Sequence, residues 1–294
     1  MNHKIRIRLS HFAQGLLMGG ADIIPGVSGG TMAIIVGIYE RLIAALSSLF
    51  SAGLALLRLN LTDMRRHLRK IDWDLLVPLG LGIATAVVVG ALLIPPLLHA
   101  YPMHCRGLFF GLIAASLAIP WRRIEQPGVL SFAVVAAAAV AAFFLVGLPD
   151  RDVSDPNTLQ IFGAAAVAIC AMILPGVSGA FLLLVLGLYE PTLLALNNRD
   201  VIYVLTFMAG AVAGLGTFTK FLNWLLTAYH DWTMAALVGV MLGSLRALWP
   251  WLAADRSLLL PAPDEPVLII LALAVLGFAA VAGLTWWGRR HASR

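Results

Sequence analysis

Two short runs in this chain carry residue types suited to holding an anion. They are Pro25-Gly26-Val27-Ser28-Gly29-Gly30-Thr31 and Pro175-Gly176-Val177-Ser178-Gly179-Ala180, at a constant offset of 150 residues. Proline removes a backbone donor and glycine permits positive φ, so each run predicts a non-helical tip inside an otherwise helical segment. A broken helix leaves backbone N–H groups free beside a positive dipole end, and Ser28 and Ser178 add hydroxyl donors. The glycines let a ligand approach the backbone closely. That chemistry suits an oxyanion such as phosphate or carboxylate. The candidate contacts are Pro25, Gly26, Ser28, Gly29, Gly30 and Thr31 in the first copy, and Pro175, Gly176, Ser178 and Gly179 in the second. A single copy would read best as a tight turn packed in protein. Two copies favour a binding site.

Ionisable residues near these runs are few. Asp22 precedes Pro25 by three positions, and its counterpart in the second copy is Met172. Two roles stay open for it, carrier of a coupling proton or sodium ion and cap of the turn. Glu40 and Glu190 follow Tyr39 and Tyr189 in both copies and are candidates for coupling or gating, although a solvated Tyr-Glu pair near an interface is the plainer reading. Arg106 and Arg246 either snorkel to the surface or grip a lipid phosphate with the guanidinium fork. Cys105 and Cys170 form no metal-ligand or disulfide pattern, and no cofactor is expected.

The elements that hold these residues belong in a membrane. Of 294 residues, 61% are hydrophobic and 12% charged, where soluble domains carry about 25% charged residues. A soluble fold could not cover its surface with so few. Six segments match the roughly 20 apolar residues of a spanning helix: about 74–99, 103–120, 128–148, 200–226, 232–249 and 267–287. Two more, 8–49 and 158–196, are broken by the Pro-Gly runs into a short arm and one about as long as a span. Near the N-terminus, His11, Gln14 and Asp22 interrupt what would be the apolar core of a signal peptide, so this segment is expected to stay in the chain.

Basic residues cluster at the N-terminus, at 58–70, at Arg122-Arg123 and at 289–294, whereas the acidic stretches are 149–157 and 250–266. The first four therefore belong in the cytoplasm, with both termini, and the last two outside. This clustering also argues against nucleic acid as the reason for the net charge of +5.

The copies extend beyond the tips. Residues 21–46 align without a gap on 171–196, matching Gly37 with Gly187, Tyr39 with Tyr189 and Glu40 with Glu190. A fainter echo relates Gly107, Gly111, Ser116 and Trp121 to Gly239, Gly243, Ser244 and Trp251, where small residues four apart would let helices pack closely. Each half, 1–150 and 151–294, holds one hairpin and three crossings. Three is odd, so the second half starts on the opposite side. The expectation is an all-α polytopic membrane protein of two inverted-topology repeats, each a re-entrant helical hairpin plus three transmembrane helices. Such repeats recur in transporters that work by alternating access.

The signatures GGADIIPGVSGGT with GIYE, AMILPGVSGA with GLYE, and GSLRALWPW at 243–251 closely resemble the polyprenyl-phosphate translocase (PopT) family of bacterial undecaprenyl phosphate transporters. The resemblance covers essentially the whole chain. It implies a transporter in the bacterial cytoplasmic (inner) membrane. Its partners would be undecaprenyl phosphate and bilayer lipid, and it would return the carrier to the cytoplasmic leaflet for cell-wall synthesis. A small-anion secondary transporter is the closest alternative. An undecaprenyl-pyrophosphate phosphatase is a weaker one. The signature of that family resembles PG-x-S-R-S-x-x-T, and Gly29 stands where it has arginine. Without that cation, phosphoryl chemistry at the tips is disfavoured.

Overall fold

The computed structural model describes residues 3–23, 28–150, 153, 155–253, 255–263 and 265–292. Pro25 and Gly26 lie outside the described residues. The first half comprises α1 (His3–Asp22), α2 (Gly29–Ile35), α3 (Tyr39–Leu57), α4 (Leu61–Leu68), α5 (Trp73–Ala100), α6 (Pro102–Ser116), α7 (Ala118–Trp121) and α8 (Val129–Leu145). The second comprises α9 (Thr158–Ile173), α10 (Gly179–Val185), α11 (Tyr189–Asn197), α12 (Val201–Ala228), α13 (His230–Ser244) with a 3₁₀ turn (Leu245–Leu248), and α14 (Val267–Ala292). Among the described residues the architecture is all-helical, apart from one isolated bridge between Leu252 and Leu258.

Large apolar side chains stay exposed along the helices, as in Leu205, Val212, Leu268 and Val275. With so few charges between them, this is the surface of a polytopic membrane protein. Five stretches are long and apolar enough to cross a bilayer: Tyr39–Leu57, Trp73–Gly90, Pro102–Trp121, Val201–Ala228 and His230–Leu248. The pair α10 and α11 makes a sixth only if counted as one span, and it is bent by 106°. Four of the six expected spans are in this set. Segment 128–148 instead gives the 17-residue α8. It ends before Gly147, whose missing side chain makes room for the Arg246 guanidinium.

The arms after the tips also differ from expectation, because neither is continuous. Gly37 and Gly187 adopt φ of 77° and 76°. Ile38 N–H reaches back to Ala33 C=O while Gly37 N–H bonds Ile34 C=O, and the same pair recurs at Leu188 and Gly187. This is the left-handed glycine stop of a helix C-terminus. It ends α2 and α10 after seven residues each.

The helices pair reciprocally. Helix α1 packs on α5 as α9 packs on α12, and α6 packs on α14 as α13 packs on α8. Glycines set these approaches. A Cβ at Gly82, Gly111, Gly210 or Gly243 would run into a backbone carbonyl of the paired helix. The faint echo belongs in a slightly different register. Ser116 Oγ donates to Ile113 C=O and Ser244 Oγ to Met241 C=O, and Tyr101 and Tyr229 cap α6 and α13 with nearly equal dihedrals. Element bounds thus match at an offset of 128, placing Gly111 with Gly239.

Polar contacts define two ends. Arg8 pairs with Asp74, Arg41 with Asp72, and Glu40 with Arg123, while Asp231 accepts the Glu125 and Gln126 N–H groups. At the other end Arg256 pairs with Asp150, Arg106 bonds Leu252 C=O, and Val153 N–H bonds Gly187 C=O. Arg8 before the first tip and Arg41 after it pair with Asp74 and Asp72, and Val153 before the second tip bonds Gly187 after it.

Candidate functional site

The two tips meet in the interior. Thr31 Oγ1 accepts Gly176 N–H at 2.8 Å, and Ser28 Oγ donates to Leu174 C=O at 3.1 Å. Ser28 Oγ also accepts Thr31 N–H, capping α2, and the Thr31 hydroxyl lies 3.2 Å from it. With the Ser28 proton committed to Leu174, the Thr31 hydroxyl donates to Ser28. The contact is too close for any side chain at Gly30, where a Cβ would sit on Ile173 C=O. In the second tip, residues 174–178 are non-helical and Gly176 takes φ of 86° against Ser244. Ser178 makes no capping bond with its hydroxyl.

Asp22 ends α1, and its Oδ1 accepts Gly29 N–H at 2.6 Å. Its counterpart Met172 occupies the same place over Gly179, with Sδ 3.1 Å from an ideal Cβ there. The second hairpin thus packs the equivalent position with no carboxylate at all. Capping the start of α2 is what Asp22 does here.

Beyond the second tip, toward the Arg256 end, lies a cavity of about 350 Å³. Asp22, Arg106, Gly176, Ser178, Tyr189 and Arg256 line it, together with apolar side chains. The sequence reading brought four of these together: Asp22, Arg106, Gly176 and Ser178. Arg256 was missed. Its guanidinium stacks 4.3 Å from the Phe181 ring centroid and pairs with Asp150 at 2.8 Å, and its backbone takes φ of 63° in the loop between α13 and α14. A lone arginine in an otherwise acidic stretch was the available signal. Arg246 does not line the cavity. It donates to Phe143 C=O and Arg256 C=O and stacks on Phe143, so it supports the loop that carries Arg256.

Asp22 also lines a second cavity, of about 270 Å³, with Gly29, Gly30, Tyr39 and apolar residues of α3 and α5. The Tyr39 hydroxyl is buried there without a partner. Asp22 is therefore shared between a cavity on the side of each tip. Pro175 and Gly179 are buried in the second tip.

Glu40 closes the Arg123 end. It accepts from Arg123 at 2.6 Å and lies 3.6 Å from His230 Nε2. Three elements are tied together there, and neither Arg123 nor His230 was singled out in the sequence. Glu190, the repeat mate, is exposed, and the described residues offer it no ion pair. Among the described residues no cluster of His, Cys, Asp or Glu is arranged to hold a metal ion.

Comparison with known proteins follows the same line. The family described as VCA0040-like, undecaprenyl phosphate translocase-like, matches residues 18–260. The chain is 38% identical over 244 residues to a polyprenyl-phosphate transporter of Vibrio cholerae serotype O1, covering 83% of this chain and 78% of that one. It is 29% identical over 261 residues to a polyprenyl-phosphate transporter of Staphylococcus aureus, covering 82% and 86%. No solved structure is significantly similar. A match spanning both tips, both cavities and Arg256 places this chain in the undecaprenyl phosphate translocase-like family.

Proposed function

We propose that this protein is an undecaprenyl phosphate translocase. It would move the lipid phosphate from the outer to the cytoplasmic leaflet of the bacterial inner membrane by alternating access. The observation that carries this reading is the cavity at the second tip. It sets Arg106, Arg256 and the Ser178 hydroxyl around a space deep among apolar helices. Two guanidinium groups and a hydroxyl supply the charge-assisted donors that a phosphate needs once out of water. The isoprenoid tail stays in apolar surroundings throughout, against lipid or apolar helix faces, so only the head meets a barrier.

In this reading the halves are inverted repeats, with the Arg123 end and both termini in the cytoplasm. Three features support that: the reciprocal helix pairing, the return of each hairpin to its own end, and the concentration of basic residues at one end. The conformation has its cavity toward the outside, while Glu40, Arg123 and His230 hold the cytoplasmic end together. Inward transfer then requires Glu40 to release its partners and Glu190 to gain one as the outer end closes. Gly29 stands where the phosphatase signature has arginine, which disfavours phosphoryl chemistry at the tips.

Asp22 supplies the coupling. Moving a negative head toward a negative interior costs roughly 2.3 kcal/mol per charge per 100 mV. A carboxylate that picks up a proton or sodium ion from one cavity and yields it to the other offsets that cost. The test is leaflet transfer of labelled undecaprenyl phosphate in proteoliposomes. Protein-dependent transfer that falls in Arg106→Gln and Arg256→Gln is the expected result. Transfer unaffected by both would remove this site, and transfer of inorganic phosphate with none of the lipid would favour a small-anion carrier.

A further inference from the structure

Another concave surface, almost wholly apolar, is lined by residues distinct from those of the charged cavity. Helices α12 and α13 each pack tightly on another partner but splay from one another, leaving an apolar groove of about 580 Å³. One wall is a continuous row of rings: Phe218, Phe221, Trp224, Tyr229 and Trp232, with successive centroids 6.4, 6.0, 5.4 and 5.9 Å apart. The Thr233 hydroxyl is satisfied by Tyr229 C=O, and the other polar side-chain atoms of the lining are the tips of aromatic rings, Tyr229, Trp224 and Trp232.

The repeat provides an internal control. At the offset of 128, the first half has Gly90, Leu93, Pro96, Tyr101 and His104 in place of the five residues. Both halves build a 28-residue helix followed by a 15-residue one at these places. The Tyr101–His104 ring pair keeps the last step of the row, but the shared fold does not require the three rings of α12.

The position of the groove says what it would hold. Its upper limit is Leu174, in the same tip as Gly176 and Ser178 of the charged cavity. Helix α13 joins the two as well, with Ala236 and Val240 in the groove and Ala247, in its 3₁₀ turn, lining the cavity. The lower limit is Tyr229 and Trp232, beside the polar recess of Glu125, His230 and Asp231 at the Arg123 end. A lipid whose head sits in the cavity would thus run its tail past the tip and along the opposite half of the bilayer. An ordinary phospholipid chain ends near the middle of a hydrocarbon core about 30 Å thick. A polyprenyl chain continues well past it.

Building on the translocase reading, we infer that the α12–α13 groove binds the distal isoprenoid chain and selects long polyprenyl phosphates over lipids with shorter tails. The aromatic faces seat the methyl-branched chain, and its length is measured from the phosphate at the tip. Chain length thereby becomes a second recognition element beside the head.

The test compares labelled undecaprenyl phosphate with labelled farnesyl phosphate in proteoliposomes, for wild type, Phe221→Ala/Trp224→Ala and Ala236→Trp. Wild type should move the long lipid faster by at least about tenfold, a difference of about 1.4 kcal/mol. Both variants should lose that advantage while still binding farnesyl phosphate as wild type does, read by quenching of the remaining tryptophans. The alanine pair opens the groove and the tryptophan fills it, so misfolding of one leaves the other informative. Equal rates for the two lipids in wild type, or a preference kept by both variants, would overturn the groove. Wild type that moves neither lipid would instead defeat the translocase reading on which the inference rests.

Discussion

The two hairpins share PGVSG and a following Gly-x-Tyr-Glu, yet they do different work. In the first, Ser28 and Thr31 are occupied in holding the second tip, and Asp22 stands against Gly29. In the second, Ser178 faces a cavity. Phe181, in the place of Thr31, carries Arg256 on its ring, and Met172 replaces Asp22. In the proposed reading, one scaffold is used twice, with one tip as the brace and the other as the receptor. The lesson is that a repeated motif marks a place, and the residues that differ between copies mark the roles.

The sharpest way to break this comparison is to give the first hairpin the residue of the second. Asp22→Met should fold, because Met172 already fills that place. Under an inside-negative potential of about 100 mV it should slow transfer roughly 50-fold, the cost of one uncompensated charge. Equal transfer by Asp22→Met and wild type across imposed potentials would return Asp22 to a cap.

Next comes the contact between the tips. Gly30→Ala forces a methyl onto Ile173 C=O and should destabilise by about 1–3 kcal/mol. Gly53→Ala, in open helix surface, should cost nothing or stabilise slightly. Thermal unfolding in detergent separates the two. Within the charged end, Arg256→Gln should weaken phosphate binding about tenfold, whereas Arg246→Gln should lower stability first and leave an affinity closer to wild type. Calorimetric titration with a soluble prenyl phosphate, beside unfolding curves, tells them apart.

The glutamates give a smaller contrast. Glu40→Gln loses a half-exposed ion pair, so its effect on stability should stay within about 1 kcal/mol. It should nevertheless raise labelling of a cysteine placed at Thr227, beside the recess of the Arg123 end. Glu190→Gln should change neither. The smallest expected effect is at Asp72, whose carboxyl is held below the usual range chiefly by its hydrogen bond from Arg41. A depressed carboxyl contributes stability above its unfolded value, and that contribution is lost as pH falls through the folded one. Arg41→Gln should therefore flatten the acid limb of the unfolding temperature below about pH 4, by a few tenths of a kcal/mol at this exposed site.

Much of the fold was legible in the residues because membrane constraints are local. Runs of apolar residues, Pro-Gly breaks and basic clusters each act within one segment. The helices at 73–100, 102–121, 201–228 and 230–248 accordingly fall close to where periodicity and length put them. The breaks at Gly37 and Gly187 were equally local, but an isolated glycine in an apolar run does not announce left-handed φ until the flanking carbonyls are seen to be satisfied. The aromatic row was in the sequence too, spread over two helices whose splaying no local rule sets.

By itself, then, the sequence determined that the chain is a duplicated helical membrane protein whose two Pro-Gly tips are special. Only the tertiary structure decided which tip faces the arginine-lined cavity, that Arg256 rather than Arg246 reaches it, and that among the described residues Glu40 but not Glu190 finds cations. Those outcomes depend on contacts between residues from about 80 to 150 positions apart. Charge and hydrogen-bond energies fall off over a few ångströms in space, and sequence separation carries no measure of that distance.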